Sequence, residues 1–112
     1  MTPPKLVGKS FVEGEWRWTY SCSLNFNELS ITHFTITDYY QKHLKHGITR
    51  GLIKSLVKNL NQKELEPRQK YNGWDIYVWE YIPKKNKECR LIFWFKDGTN
   101  KHLWIRNCRR ID

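Results

Sequence analysis

Little in this chain constrains its backbone covalently or directs it to a membrane. Among 112 residues there are three cysteines, four prolines and six glycines. Cys22, Cys89 and Cys108 are an odd set with no close pair and no Cys-His spacing of the zinc-finger kind. That argues against a disulfide framework and a structural zinc site, and for a reducing, cytoplasmic setting. No stretch approaches the roughly 20 apolar residues that a membrane helix needs. The N-terminal MTPPKLVGKS has no apolar run resembling a signal peptide. Neither membrane insertion nor secretion is therefore expected. A glycine-rich phosphate loop, a cluster of acidic metal ligands and an ordered Ser/His/Asp set are all missing, which disfavours nucleotide hydrolysis and two-metal nuclease chemistry. No metal and no cofactor is expected.

Negative charge is also scarce. Eleven Asp and Glu stand against 20 Lys and Arg, giving a formal charge of +9 and a pI near 9.6. A polyanion is the natural partner of such a chain, although charge by itself also serves solubility. Aromatic residues, by contrast, make up 15% of the chain. From Trp74 to Arg110 they share one stretch with many Lys and Arg, in the runs WDIYVWEY, ECRLIFWF and HLWIRNCRR and the links between them. Aromatic surface beside fixed positive charge suits stacking on bases while holding phosphates, so RNA is the expected partner.

Length and composition fit one domain over residues 1–112, with residues 1–8 a flexible lead-in carrying Pro3 and Pro4. Glu13-Gly14 is placed to turn a hairpin whose second strand alternates Trp16, Trp18, Tyr20 and Cys22 with Arg17, Thr19 and Ser21. The β-branched run Ile31 to Ile36 predicts a strand. Thr37 is positioned to cap a helix from Asp38 to His46, and Thr49 a second helix with Leu52, Ile53, Leu56, Val57 and Leu60 on one face. Three more strands follow: Trp74 to Ile82, Cys89 to Phe95 and His102 to Asn107. The expected fold is α+β, a helical hairpin packed on one face of a twisted antiparallel sheet, with an N-terminal aromatic β-hairpin.

Register parity separates the last two strands into faces. A two-residue turn at Asp97-Gly98 would mix apolar and polar positions, whereas an odd-length loop or a bulge sorts them. Leu91, Phe93 and Phe95 then share a face with Leu103 and Ile105, and Arg90, Ile92 and Trp94 share the other with His102, Trp104 and Arg106. On that second face Arg90, Arg106 and His102 could serve metal-free phosphodiester cleavage, which needs a base, an acid and cations beside the phosphate. Trp94, Trp104, Arg109 and Arg110 would hold the RNA. His43 and His46 recur with Tyr39 at helical spacing and are alternative sources of a catalytic imidazole. Lys54 and Lys58, with Arg50, form a basic helical stripe that would extend the phosphate footprint or simply be solvated. His33, alternating inside a β-branched strand, reads as structural.

The order strand, two helices, then strands with ECRLIFWF and HLWIRNCRR resembles the RelE/HigB-like toxins, small basic ribonucleases of bacterial toxin–antitoxin systems. NGWDIYVWEY resembles that family's strand after a glycine turn, Cys89 to Phe93 its Tyr-Arg-aliphatic strand, and Ile105 to Arg110 its basic final strand. The resemblance implies a metal-independent endoribonuclease acting on RNA, including ribosome-bound mRNA, and an acidic antitoxin as inhibitor. It places phosphate contacts on Arg90 and on Arg106 or Arg109. The chain departs from the family pattern in carrying Cys89 where a tyrosine is usual, in its long PKKNKE connection and in the N-terminal hairpin. The competing expectation is a non-catalytic basic module that binds nucleic acid or protein.

Overall fold

The alternation along the first third of the chain becomes three antiparallel strands, β1 (Lys5–Val12), β2 (Glu15–Phe26) and β3 (Leu29–Thr37). The computed structural model describes residues 4–39, 41, 47–71, 73–84, 87–95 and 100–110. Strand β1 already begins at Lys5 and pairs with Ser21, inside the segment expected to be a lead-in. Both hairpins close on two residues with positive φ, Glu13 and Gly14 in one and Asn27 and Glu28 in the other. That is the turn geometry whose twist matches a right-twisted strand pair.

After β3 come one helix, α1 (Arg50–Lys58), and a second meander, β4 (Gln69–Tyr71), β5 (Trp74–Lys84), β6 (Lys87–Phe95) and β7 (His102–Arg110). The two meanders join into one seven-stranded sheet of order β1-β2-β3-β7-β6-β5-β4. All neighbours are antiparallel except β3 and β7, which run parallel with His33 opposite His102 and Ile36 opposite Ile105. No helix among the described residues is long and apolar enough to cross a membrane.

This architecture corrects the α+β expectation of a helical hairpin on an antiparallel sheet. The sheet is mixed, the N-terminal hairpin is part of it, and the described residues contain one short helix. Thr37 does not cap a helix; it is the buried last residue of β3, paired with Arg17 of β2. The carboxylate of Asp38 accepts the backbone N–H of Trp16 at 2.9 Å and so closes the sheet rather than opening a helix. Asp38, Tyr39 and Gln41 form a tight 3₁₀-type turn, and residues 40 and 42–46 lie outside the described residues.

Helix α1 forms where the apolar periodicity places it. Thr49 caps it, its hydroxyl accepting the Leu52 N–H at 3.1 Å. Ile53, Leu56 and Val57, with Leu60 beyond, bury against the sheet face that carries Trp18, Tyr20, Phe34, Ile36, Leu91, Phe93, Leu103 and Ile105. Phe26, fully buried, sits among the rings of Tyr77, Phe93 and Phe95 at 5.5, 5.4 and 6.3 Å. The crossover that follows α1 is pinned to the β2–β3 turn by Asn27. Its amide donates to the Leu65 carbonyl at 3.0 Å and accepts the Leu65 N–H at 2.7 Å, while its own N–H donates to Lys63 at 2.9 Å.

Two stability predictions follow from this core. Phe26→Ala should cost about 3–5 kcal/mol in urea unfolding, the range for deleting a buried ring. Asn27→Gly keeps the positive φ but removes the two amide bonds, and should cost about 1–3 kcal/mol. The thiols add a pH dependence. Burial raises Cys22 from its ordinary 9.0 to about 11, and burial together with nearby Cys89 raises Cys108 to about 12. The unfolded chain therefore releases these protons first, and stability present below about pH 9 is lost as pH rises toward the folded values. Denaturation midpoints measured across that window should fall in the natural chain and fall less steeply in Cys108→Ala.

Candidate nucleic-acid interface

Strand alternation leaves a second sheet face that no described helix covers. Its rows run across β2, β3, β7, β6 and β5. Ser21, His33 and His102 make one row, and Thr19, Thr35, Trp104 and Trp94 the next. Val78, Ile92 and Asn107 form a third, with Glu80, Arg90 and Arg109 beyond it. The apolar partners Phe93–Ile105 and Phe95–Leu103 lie on the helix side. The separation of these positions into an apolar and a basic aromatic face is the one that the alternation implied.

The ladder slips by one residue between Ile92 and Phe93, so that Arg106 and Asn107 stand together against Ile92. Two residues facing one is the geometry of a β-bulge, which turns a side chain away from strict alternation. Arg106 and Asn107 thereby both line a cleft of about 330 Å³ with Tyr39, Gln69, Ile76, Ile92 and Trp94. The guanidinium of Arg106 lies 5.1 Å from the Tyr39 ring and 5.8 Å from the Trp94 ring. Arg17 covers Trp104 at 5.0 Å and is held there by Glu15, whose carboxylate accepts from its Nε at 2.9 Å. Each central tryptophan thus has a guanidinium within the cation–π range.

The adjacent row is built around imidazoles. His33 and His102 face each other across the parallel pair with ring centroids 5.8 Å apart. Thr35 shares a 2.7 Å hydrogen bond with Nε2 of His102 and a 2.8 Å bond with the Thr19 hydroxyl, and Thr32 bonds Nδ1 of His33 at 2.9 Å. Hydroxyls therefore fix one nitrogen of each ring.

The expected site residues do not all converge. Trp94, Trp104, His102 and Arg106 share the face and lie within neighbouring rows. Arg90 is on the same face but pairs with Glu80 at 3.2 Å, which also binds Arg68 at 3.1 Å. Six residue steps along the strands separate Arg90 from His102, about 20 Å, too far to act on one phosphate. Arg109 lies opposite Arg90, and Arg110, opposite Cys89, falls on the alternate side. Lys54 and Lys58 belong to α1 on the other layer, with the Lys54 ammonium 5.2 Å from the Tyr20 ring. His43 and His46 lie outside the described residues.

Arg17, His33, Gln69 and Asn107 reach this face without having been singled out as site residues. The polar alternation of Arg17 with Thr19 and Ser21 was visible, but not the strand to which it would lie next. A larger cleft of about 520 Å³ lies elsewhere, lined by Glu28, Glu64, Glu66, Asn27, Leu65 and Tyr77. Burial chiefly, with Asp75 and Glu66 adding to it against a lowering bond from Asn27, raises the Tyr77 phenol above its ordinary value. Such an acidic lining opposes a phosphate. Among the described residues no group of three or more His, Cys, Asp or Glu is placed to hold a metal ion. No protein-family model matches the chain, and no curated protein or solved structure matches it either.

Proposed function

We propose that the helix-free face of the sheet binds single-stranded RNA. The observation that carries this reading is the register pair Trp94–Trp104, with Arg106 over one ring and Arg17 over the other. Rings offer stacking surface to bases of any sequence, and the guanidiniums meet phosphates. The chain's +9 charge supports association with a polyanion. On this reading the chain works in the cytoplasm, and an acidic antitoxin-like protein would mask the face by complementary charge.

The paired imidazoles favour a second, catalytic reading, a metal-independent endoribonuclease. One neutral imidazole of the His33–His102 pair would take the proton of the ribose 2′-hydroxyl as its oxygen bonds to phosphorus. The other, protonated, would give its proton to the departing 5′-oxygen as the P–O5′ bond breaks, leaving a 2′,3′-cyclic phosphate. Arg17, above the Trp104 ring in the adjacent row, is a cation that could meet the phosphate there. Arg90, the residue emphasised by the resemblance to RelE/HigB-like toxins, takes no part in this arrangement.

Binding is tested with labelled single-stranded RNA over a salt series. Trp94→Ala should lose about 1–3 kcal/mol of affinity. Arg106→Ala should weaken binding and reduce the slope of log affinity against log salt by about 0.7. A Lys54→Ala/Lys58→Ala double variant, altered on the far layer, should bind as the natural chain does. Loss of binding only in the lysine variant would overturn the assignment of this face. Cleavage is tested separately by incubating RNA in excess chelator, with and without ribosomes. A cyclic-phosphate product lost in His102→Ala and in His33→Ala is expected if the pair is catalytic; undamaged RNA in both arms leaves a binding module.

A further inference from the structure

We infer that the cleft beside Trp94 holds one unpaired guanine of the bound RNA, an inference that rests on the RNA-binding reading of this face. At about 330 Å³ it lies at the small end of ligand pockets, which run from roughly 300 to 1,000 Å³. A single base with part of its ribose is an occupant of that size. Ile76 and Ile92 supply an apolar floor, and Tyr39 and Trp94 supply rings. No carboxylate is among the described lining residues, so nothing there repels the nucleotide's phosphate.

The polar groups discriminate among bases. Asn107 Oδ1 accepts the backbone N–H of Cys108 at 2.8 Å. Because a backbone N–H requires an acceptor, that bond fixes which end of the amide is oxygen and leaves the NH₂ end for a ligand. Arg106, beside it on the bulge, is a donor only. The cleft therefore presents two adjacent donor groups and asks for two adjacent acceptors. Guanine offers O6 and N7 side by side, whereas adenine puts its N6 amino donor beside N7. Adenine would leave donors facing a donor, a mismatch that desolvated sites reject strongly. Cytosine also has adjacent acceptors, O2 and N3, but a pyrimidine covers less of the two rings. Gln69, exposed on β4 and in register with Ile76, has a carbonyl free to turn toward the N1–H and N2 amino group of guanine.

The bulge is what makes this reader possible. Strict alternation would send either Arg106 or Asn107 to the core face, and the slip between Ile92 and Phe93 keeps both outward. The Asn107–Cys108 bond holds the amide in place before any ligand arrives, which reduces the ordering cost of binding.

The test uses two labelled oligouridines in chelator, one with a single central guanosine and one with a single central adenosine. The natural chain should bind the guanosine probe about tenfold more tightly, the scale of one good paired contact. Asn107→Asp keeps an oxygen for the Cys108 N–H but removes the NH₂ donor, and should bring the ratio close to one. The charge it adds weakens both probes alike and cancels in the ratio. Equal affinity of the natural chain for both probes, or a ratio unchanged in Asn107→Asp, would overturn the guanine site while leaving the RNA-binding face standing. Failure of both probes to bind at all would remove both.

Discussion

The parallel pairing of β3 with β7 is the constraint on which the rest of the structure depends. Among the described residues it is the strand pairing by which the N-terminal meander, β1 to β3, and the C-terminal meander, β4 to β7, become one sheet. Two antiparallel meanders need only short turns, but a parallel junction needs a crossover, and α1 lies in it. The same four-residue ladder sorts both faces. Phe34 beside Leu103 and Ile36 beside Ile105 go under the helix, while His33 beside His102 and Thr35 beside Trp104 go outward. A slip of one residue would exchange those sets, placing imidazoles in the core and apolar side chains in water. Core burial therefore enforces the alignment of the two histidines, which have no means of their own to select it.

The positive charge is divided unequally by this arrangement. Arg90 and Arg68 converge on Glu80, so much of their charge is already answered within the protein. Lys54 and Arg50 lie over Tyr20 and Trp18 on the helix layer, where their stems cover aromatic rings at the sheet margin. Arg106 makes no ion pair among the described residues and is exposed. Its neighbours are two rings, which attract a cation without neutralising it. A cation held in position yet still carrying its full charge suits an incoming phosphate. Glu28, Glu64 and Glu66, in turn, line the cleft near Tyr77, whereas Glu15 and Glu80 pair with arginines of the basic face.

Local pattern made much of this legible in the sequence. The Glu13-Gly14 turn, the alternation of β2, the β-branched run of β3 and the apolar stripe of α1 all depend on neighbours a few residues apart. Even the faces of β6 and β7 followed from their own alternation, since apolar positions must share a side. Partner choice did not follow. Nothing within Ile31–Thr37 says that its second neighbour will be a strand some 70 positions later, or that the two will run parallel. Without that pairing Thr37 read as the cap of a helix starting at Asp38, because its hydroxyl is a capping group and neither residue had a visible competing use. The actual partner of Asp38, the Trp16 N–H, is brought to it only by the β2–β3 register. His33 was read as structural for the same reason, its neighbour His102 being invisible from the local run. The bulge at Arg106 was admissible from parity but could not be positioned, since parity is served equally by a loop of odd length.

The two Arg–tryptophan stacks also determine how a base could reach the face, because each ring already has an occupant. Over Trp104, Arg17 is held from behind by Glu15, so a base stacking there must displace a paired guanidinium. Over Trp94, Arg106 has no such tether among the described residues and is shared with Tyr39. An exposed side chain between two rings gives up either one by a rotamer change while keeping the other, so displacement costs less. Base stacking is therefore easier at Trp94, beside the amide of Asn107, than at Trp104. On the proposed RNA-binding reading, the Trp104 row, with Arg17 and the adjacent imidazoles, would be left to the ribose and phosphate of the neighbouring nucleotide. Strand spacing supports that division: the His33–His102 row lies two residues, about 7 Å, from the tryptophan row. On that reading a base lodged at Trp94 would leave the imidazole row within one nucleotide's reach, close enough for recognition at the bulge to be joined to any chemistry at the parallel seam.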